Sequence, residues 1–307
     1  MSSTSPGVAV PRSRRRRRWQ GASVNVLYLP ALALFVVFIV YPVIQGVSIA
    51  LTNWNGYSPT RSFVGLENFA RIFEDPNFRT ALINTFIFGI GSTIIQQVLG
   101  LLFAVLLDQK LRGREVARAV MYLPVLVSPV VMGTMYYLVF RYHQGALNDL
   151  LAMFGGAPVS WLSNADVAVA VIVIINSLQF MGISMIIYLS GLQSIPQEIK
   201  EAASLDGASG ARQFRSITVP QLMPAFASSV VLNLIGGLKL YDIIQVLTGG
   251  GPGYATNSVS TLIGRTYFGN QSAGYAAAQG IVLFLIIVVC TVLLNWWFDR
   301  TRARLEN

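Results

Sequence analysis

Charged residues are scarce in this sequence. Only 11% of its 307 residues are charged, whereas 54% are hydrophobic. Ordinary soluble domains carry about a quarter of their residues as charges. A soluble protein this apolar would have too little polar surface to stay in solution, so the composition indicates an integral membrane protein.

Residues that hold metals, nucleotides or covalent intermediates are also few. Cys290 is the only cysteine and His143 the only histidine, which excludes a disulfide within the chain and a histidine cluster for a metal. There is no Gly-x-x-x-x-Gly-Lys-Ser/Thr phosphate loop, and the three glycines at 249–251 lack the lysine that would follow. We read those glycines as an external turn. No nucleophile–base grouping or paired intramembrane carboxylates favour a membrane enzyme, and we expect no metal and no cofactor on this chain.

Long hydrophobic runs dominate the sequence. A helix needs about 20 apolar residues to cross the hydrocarbon core, and continuous runs favour helices over a barrel, whose strands alternate. The sequence therefore predicts an all-α integral membrane protein, with a transmembrane domain at 26–300 between tails at 1–25 and 301–307. The six predicted transmembrane helices are Val26–Ala50, Ala81–Leu107, Ala119–Phe140, Val167–Ser190, Ala225–Leu247 and Ala276–Phe298.

The first predicted span follows the basic run Arg14–Arg18, an arrangement that partly resembles a secretory signal peptide. Its apolar stretch, Val26–Ala50, is much longer than the roughly 7–15 residues of a signal-peptide core. We therefore expect a retained membrane anchor.

Lysines and arginines fall mainly on one side of the predicted membrane. Sixteen lie on the side of the N-terminus and five on the other, while Lys239 lies within a span. Cytoplasmic loops carry such an excess, so both termini are predicted to be cytoplasmic. The net charge of +9 is then explained by topology and contact with anionic membrane lipid, and no nucleic-acid partner is expected.

The second cytoplasmic loop, residues 191–224, has the pattern of a short helix, a glycine and a second helix. Ser194 and Gln197 have the spacing of a capping box, with Pro196 in the first turn. Gly207 is placed to end the first helix, and Ser209 to begin the second. The residues alone leave two interpretations open: a docking element for a cytosolic partner, or an amphipathic linker at the membrane surface.

A family resemblance decides between them. Glu201-Ala202-Ala203, then Gly207, Ile217 and Val219-Pro220, resembles the EAA motif of binding-protein-dependent ABC importer permeases, which usually have leucine where Val219 stands. Four further segments resemble the oligosaccharide and glycerol-phosphate members of that family, and the likeness covers about residues 28–300. They are Phe63-Val64-Gly65-Leu66-Glu67-Asn68-Phe69, Asn84-Thr85, Tyr122-Leu123-Pro124, and Leu247-Thr248-Gly249-Gly250-Gly251-Pro252.

The resemblance implies a complete transport assembly in a bacterial plasma membrane. It implies a five-helix permease core with the first helix outside it, a second homologous permease, two ATPase subunits that carry ATP and Mg, and an extracytoplasmic solute-binding protein. The loop would be a coupling helix seated in a cleft of the ATPase, and the cargo a di- or oligosaccharide, a related glycoside or a glycerol phosphate. The coupling residues implied are Glu201, Ala202, Ala203, Asp206, Gly207, Ile217 and Pro220.

Polar residues inside the predicted spans mark a substrate pathway, because such groups usually face a bundle interior or a water-filled path. The candidates are Asn176, Gln179 and Ile183 on the fourth span, and Asn233, Gly236, Gly237, Lys239, Leu240, Tyr241 and Asp242 on the fifth. Asn176 and Asn233 have an alternative role as hydrogen-bond partners of neighbouring helices.

Lys239 and Asp242 are three residues apart, so on a continuous helix they would form an ion pair. If Lys239 instead selects anions, a glycerol phosphate becomes the better substrate. As the only ionisable candidates in the bundle, these two residues also leave open an ion-driven secondary transporter.

Overall fold

The computed structural model describes residues 28–109 and 111–305. The predicted tail at 1–25, residues 26 and 27 of the first predicted span, Lys110, and residues 306 and 307 lie outside this range. In the described part, five helices are long and apolar enough to cross a membrane, and counting one bent helix pair as a single broken span gives a sixth crossing. The prediction of an all-α membrane protein is confirmed, since the described residues contain no β-strand beyond an isolated bridge between Thr52 and Phe63.

We number the crossings spans 1 to 6 in chain order. They are Tyr28–Ala50, Pro76–Asp108, the pair Arg114–Leu126 and Pro129–Phe140, then Ala165–Gln193, Met223–Leu247 and Ala273–Ala303. The last helix continues to Leu305. Shorter helices lie between the spans: Glu67–Glu74, Ala146–Met153, Gln197–Leu205, Gly210–Gln213, Val219–Gln221 and Val259–Gly264.

Span 3 is broken, and its two halves meet at 98°. Val127 and Ser128 are extended between them, and Pro129 opens the second half. Proline has no amide hydrogen to donate and disfavours a helical residue before it, so the first helix cannot continue through Ser128 and ends at Leu126. Ala119–Phe140 was predicted as one segment, whereas the structure breaks it at a point where Leu126 and Ser128 are exposed.

Span 5 is interrupted as well. Its long helix ends at Leu238, Tyr241 has φ −132° and ψ −60°, and a short helix resumes at Asp242. The prediction of one continuous helix from Ala225 to Leu247 was therefore wrong at this point. Irregular backbone at membrane depth is tolerated where it is enclosed by protein or lines a cavity.

Glycines allow the central spans to pack closely. A Cβ atom on Gly237 of span 5 would lie 2.8 Å from the Cα of Gly89 on span 2, and one on Gly100 would collide with Ser184 of span 4. Small residues at such crossings let helix backbones approach in a membrane. Span 1 packs on the outside of this group, against span 6, and Ala50 at its end is its one buried residue among those described.

Two of the segments that resemble the permease family contain an asparagine that hydrogen-bonds to a distant part of the backbone. Asn68 Nδ2 donates to the carbonyl of Ala50 at 2.8 Å and so holds the end of span 1. Asn84 Nδ2 donates to the carbonyl of Ala255 at 2.7 Å, which fixes the loop after span 5 to span 2. These asparagines therefore set the positions of loops around the bundle.

Candidate functional site

A cavity of about 220 Å³ lies between spans 2, 4 and 5, where the chain of span 5 is interrupted and the second half of span 3 begins. Nine of the ten predicted pathway residues line it: Asn176, Ile183, Asn233, Gly236, Gly237, Lys239, Leu240, Tyr241 and Asp242. The remaining wall comes from residues that the sequence analysis did not select: Gln96, Pro129, Phe180, Leu232 and Ile243. The cavity therefore gathers residues from five helical segments.

Carboxamides give the cavity hydrogen-bonding capacity without charge. Gln96 Nε2 donates to the backbone carbonyl of Asn176 at 3.1 Å, whereas Gln96 Oε1 is buried and has no partner among the described residues. The side chain of Asn176 makes no hydrogen bond within the described chain. Because an amide offers both donors and acceptors, a ligand rich in hydroxyl groups would satisfy these atoms.

Asn233 is used differently. Its Nδ2 donates to Ser184 Oγ on span 4 at 2.6 Å and, at 3.4 Å, to Ser229 Oγ on its own helix. Gln97 Nε2 of span 2 donates to the same Ser184 Oγ at 3.3 Å. For Asn233, the alternative role in helix–helix hydrogen bonding is thus present, and this network joins three spans beneath the cavity wall.

Gln179 does not line the cavity. It is fully buried, and its Nε2 donates to the carbonyl of Val127 at 3.3 Å, one of the groups exposed by the break in span 3. Its Oε1 has no partner among the described residues. The helical spacing from Asn176 correctly predicted that Gln179 lies inside the bundle. That spacing could not predict the break in span 3 that Gln179 contacts.

Lys239 and Asp242 both face the cavity and do not pair with each other. The ion pairs within the described residues join Glu115 to Arg114 and Arg118. The expected pair was wrong because i, i+3 side chains are neighbours only on a continuous helix, and the helix ends between these two. Lys239 instead follows the C-terminus of one helix and Asp242 begins the next, ends at which their charges are favourable.

Some of the cavity residues that were not predicted could have been identified from the sequence, and others could not. Gln96 is an amide within an apolar run, and Phe180 follows Asn176 by one helical turn, so polarity and spacing could have found both. Leu232 is one apolar residue among many. Among the described residues, no group of three His, Cys, Asp or Glu side chains could hold a metal ion.

The loop between spans 4 and 5 forms the predicted helix–turn–helix. Its first helix, Gln197–Leu205, buries no residue, Gly207 takes φ +75°, and Ser209 caps the second helix through the amide of Arg212. The predicted capping box was wrong: span 4 runs on to Gln193, so Ser194 ends that helix and its Oγ donates to the Gly191 carbonyl at 2.8 Å. Pro196 takes the N-cap position.

The seven predicted coupling residues sit differently on this loop. Glu201, Ala202, Asp206 and Gly207 are exposed, whereas Ala203, Ile217 and Pro220 are half-buried. Gln213 Nε2 donates to Ser204 Oγ at 2.9 Å and holds the two helices together. Leu205, which the sequence analysis passed over, is 89% exposed beside the turn and gives the loop an apolar projection.

Comparison with known proteins gives one matching family. The family described as binding-protein-dependent transport system inner membrane component matches residues 96–306. The trehalose/maltose transport system permease protein MalF of Thermococcus litoralis is 35% identical over 268 residues, which cover 87% of this chain and 90% of that protein. The sn-glycerol-3-phosphate transport system permease protein UgpA of Agrobacterium fabrum is 30% identical over 269 residues, with 87% and 91% covered.

A solved structure has a similar fold. In the crystal structure of a bacterial alginate ABC transporter in complex with an alginate pentasaccharide-bound periplasmic protein, one chain matches with a TM-score of 0.79. The match covers 94% of this chain and 96% of that one at 23% identity. At this identity the likeness concerns the arrangement of helices.

Proposed function

This chain belongs to the family of binding-protein-dependent transport system inner membrane components, and we propose that it is one permease subunit of an ATP-driven importer. The proposed cargo is a di- or oligosaccharide or a related glycoside. The carboxamides of Gln96 and Asn176 line the cavity, and their donors and acceptors match those of sugar hydroxyls.

One observation carries this proposal: the loop and the cavity share the same two helices. Span 4 contributes Asn176 to the cavity and continues to Gln193, four residues before the loop helix begins at Gln197. Span 5 leads from the other end of the loop back to Gly236. A rigid displacement of the loop would therefore move two walls of the cavity.

The energy source is proposed to be a separate ATPase pair. Glu201, Ala202, Asp206 and Gly207, together with the exposed Leu205, would enter a cleft of one ATPase subunit, with ATP and Mg held there. A second homologous permease would complete the pathway. An extracytoplasmic solute-binding protein would deliver the sugar.

The proposed mechanism is alternating access. ATP binding would close the ATPases, the loop would carry that motion to spans 4 and 5, and the cavity would open to the outside. Coupling of two binding sites is reciprocal, so sugar delivery must in turn favour the ATP-bound state. The location is a bacterial plasma membrane, with both termini in the cytoplasm.

The test is reconstitution of the complex from its native host with its ATPase and binding protein. Labelled oligosaccharides should enter vesicles only with ATP, and the binding protein should stimulate ATP hydrolysis. A chain that purifies without an ATPase even after cross-linking would contradict the proposal. Uptake that collapses with an uncoupler while ATP is maintained would favour an ion-driven carrier instead.

A second candidate cargo is a glycerol phosphate. It is favoured by the cavity position of Lys239, whose ammonium forms no ion pair among the described residues. Such a group would suit a phosphate. Substitution of Lys239 distinguishes the two substrates.

A further inference from the structure

One face of span 5 is exposed along the whole length of its long helix. The exposed positions recur every three or four residues, which places them on one side of a helix. They are Pro224, Ser228, Leu232, Gly236 and Lys239. The positions one residue further along at 229, 233 and 237 are buried, and the remaining positions of the helix are mostly half-buried, so the exposed face is a narrow stripe.

Two cavities lie along this stripe. The first is the cavity already described, at Gly236 and Lys239. The second, of about 500 Å³, lies between the start of span 5 and the end of span 6, where Ser228, Asn295 and Asp299 form part of its wall. It has both apolar and polar lining, and it sits at the end of span 5 nearest the coupling loop.

Leu232 is the one residue in the wall of both cavities. Its side chain is 56% exposed, whereas its neighbours on the stripe are small: Ser228 on one side, and Gly236, whose Cα has open space before it, on the other. Each neighbour is about 6 Å away along the helix axis. Leu232 is therefore the one bulky side chain on the stripe between Ser228 and Gly236.

We propose that this stripe is the wall along which substrate leaves the first cavity, with Leu232 as the apolar constriction and the second cavity as the exit vestibule to the cytoplasm. The inference rests on the proposed importer function. A sugar hydroxyl beside Leu232 has no side-chain partner there, and an unpartnered polar group raises the free energy. Apolar constrictions gate other membrane pathways for the same reason.

Transport by the assembled complex tests the constriction. Leu232→Trp should abolish uptake, because the larger side chain fills the narrow point, while the complex still assembles and still hydrolyses ATP in response to its binding protein. Leu102→Trp on span 2 is the matched control: it is 50% exposed, lies in neither cavity wall, and should keep uptake. Normal uptake by Leu232→Trp, or failure of that variant to assemble with the second permease, would overturn the proposal.

Thiol labelling tests the two-compartment arrangement without any sugar. In a Cys290→Ser background, an impermeant thiol reagent is applied from the cytoplasmic side to the complex without ATP. Ser228→Cys should react, Gly236→Cys should react slowly, and adding Leu232→Ala should speed the second reaction at least several-fold. Equal reaction at both positions with Leu232 intact, or no change with Leu232→Ala, would contradict the constriction.

The two tests distinguish a wrong function from a wrong constriction. If no saccharide is taken up by the unsubstituted complex but the labelling pattern holds, the cargo assignment is wrong and the constriction stands. If uptake is normal but the labelling pattern is absent, the importer stands and Leu232 is not its constriction.

Discussion

The cavity and the loop between spans 4 and 5 are two polar regions of a largely apolar chain, and their polar residues have different structural roles. In the cavity region, side chains such as Asn233 and Ser184 are buried and hydrogen-bonded between spans. In the loop, the first helix buries nothing, and the shape depends on backbone features: the φ of +75° at Gly207 and the cap at Ser209. The cavity therefore depends on side-chain volume and hydrogen bonding, and the loop on the path of its backbone.

This difference has a consequence for substitutions. A buried hydrogen-bonding side chain is costly to remove because its partner is left unsatisfied in a medium without water. An exposed loop residue can be replaced with little loss of folding free energy, but its surface is then wrong for a partner. The largest effects on transport with the smallest effects on folding are thus expected in the loop.

Gly207→Pro is expected to have the largest effect. Proline fixes φ near −65° and cannot take the +75° seen here, so the helix–turn–helix would lose its shape. Uptake should fall to background, and the binding protein should no longer stimulate ATP hydrolysis. Membrane insertion, measured by the amount of chain in the membrane fraction, should remain.

Two further variants are needed to interpret the result for Gly207→Pro. Gly210→Ala is the matched control, because Gly210 has no positive φ and open space at its Cβ position; it should transport normally. Glu201→Arg keeps the backbone and reverses one exposed charge of the proposed docking surface, and it should also block uptake. Normal transport by both Gly207→Pro and Glu201→Arg would remove the coupling assignment.

Substitutions at two adjacent glycines in the cavity should distinguish a loss of cavity volume from a loss of helix packing. Gly236 has open space before it, whereas a Cβ on Gly237 would lie 2.8 Å from Gly89 Cα. Gly236→Leu should give a folded protein with a filled cavity and greatly reduced uptake. Gly237→Leu should instead lower the thermal stability of the detergent-purified complex and its yield. If both variants fold alike and transport alike, the two glycines do not face the different surroundings described.

Two polar residues near the cavity should separate folding from binding. Ser184→Ala removes the acceptor of both Asn233 and Gln97 and should cost about 1–3 kcal/mol of stability, the usual penalty of a buried unsatisfied donor. Ser190→Ala, an exposed position on the same helix, is its control. Asn176→Leu should leave the melting temperature nearly unchanged and weaken sugar uptake. A stability loss confined to Asn176→Leu would reverse these roles.

The sequence predicted what depends on local pattern, and it missed what depends on breaks in that pattern. The spans and the turn at Gly207 follow from hydrophobic length and from the φ that glycine permits. Ser194 was misassigned because span 4 continues three residues beyond its predicted end at Ser190, which turns a proposed N-cap into the end of a helix. Gln179 was placed in the pathway because the break that it serves, at Ser128, lies on another span.

The sequence pattern did not identify two apolar residues that the fold leaves exposed. Leu205 on the loop and Leu232 on span 5 are exposed by the fold, but leucine is ordinary in such a sequence. Finding them requires knowing which helical face is left uncovered. That is set by the packing of all the spans together, so it cannot be read from any one of them.

Removing the charge of Lys239 is expected to have the smallest effect on uptake. It is also the substitution that distinguishes a sugar from a phosphate ester as the substrate. Lys239→Gln keeps a polar, hydrogen-bonding side chain and removes its charge, so uptake of a neutral oligosaccharide should change little. If the cargo is a phosphate ester, the apparent affinity should fall about tenfold or more, since a hydrogen bond to a charged group contributes roughly 1.5–3 kcal/mol. Asp242→Asn is the companion of opposite sign: it removes the negative charge from the same cavity and should improve the uptake of an anion. If neither variant changes the affinity for a phosphate ester, Lys239 and Asp242 only complement the helix ends at which they stand, and the neutral sugar remains the cargo to identify.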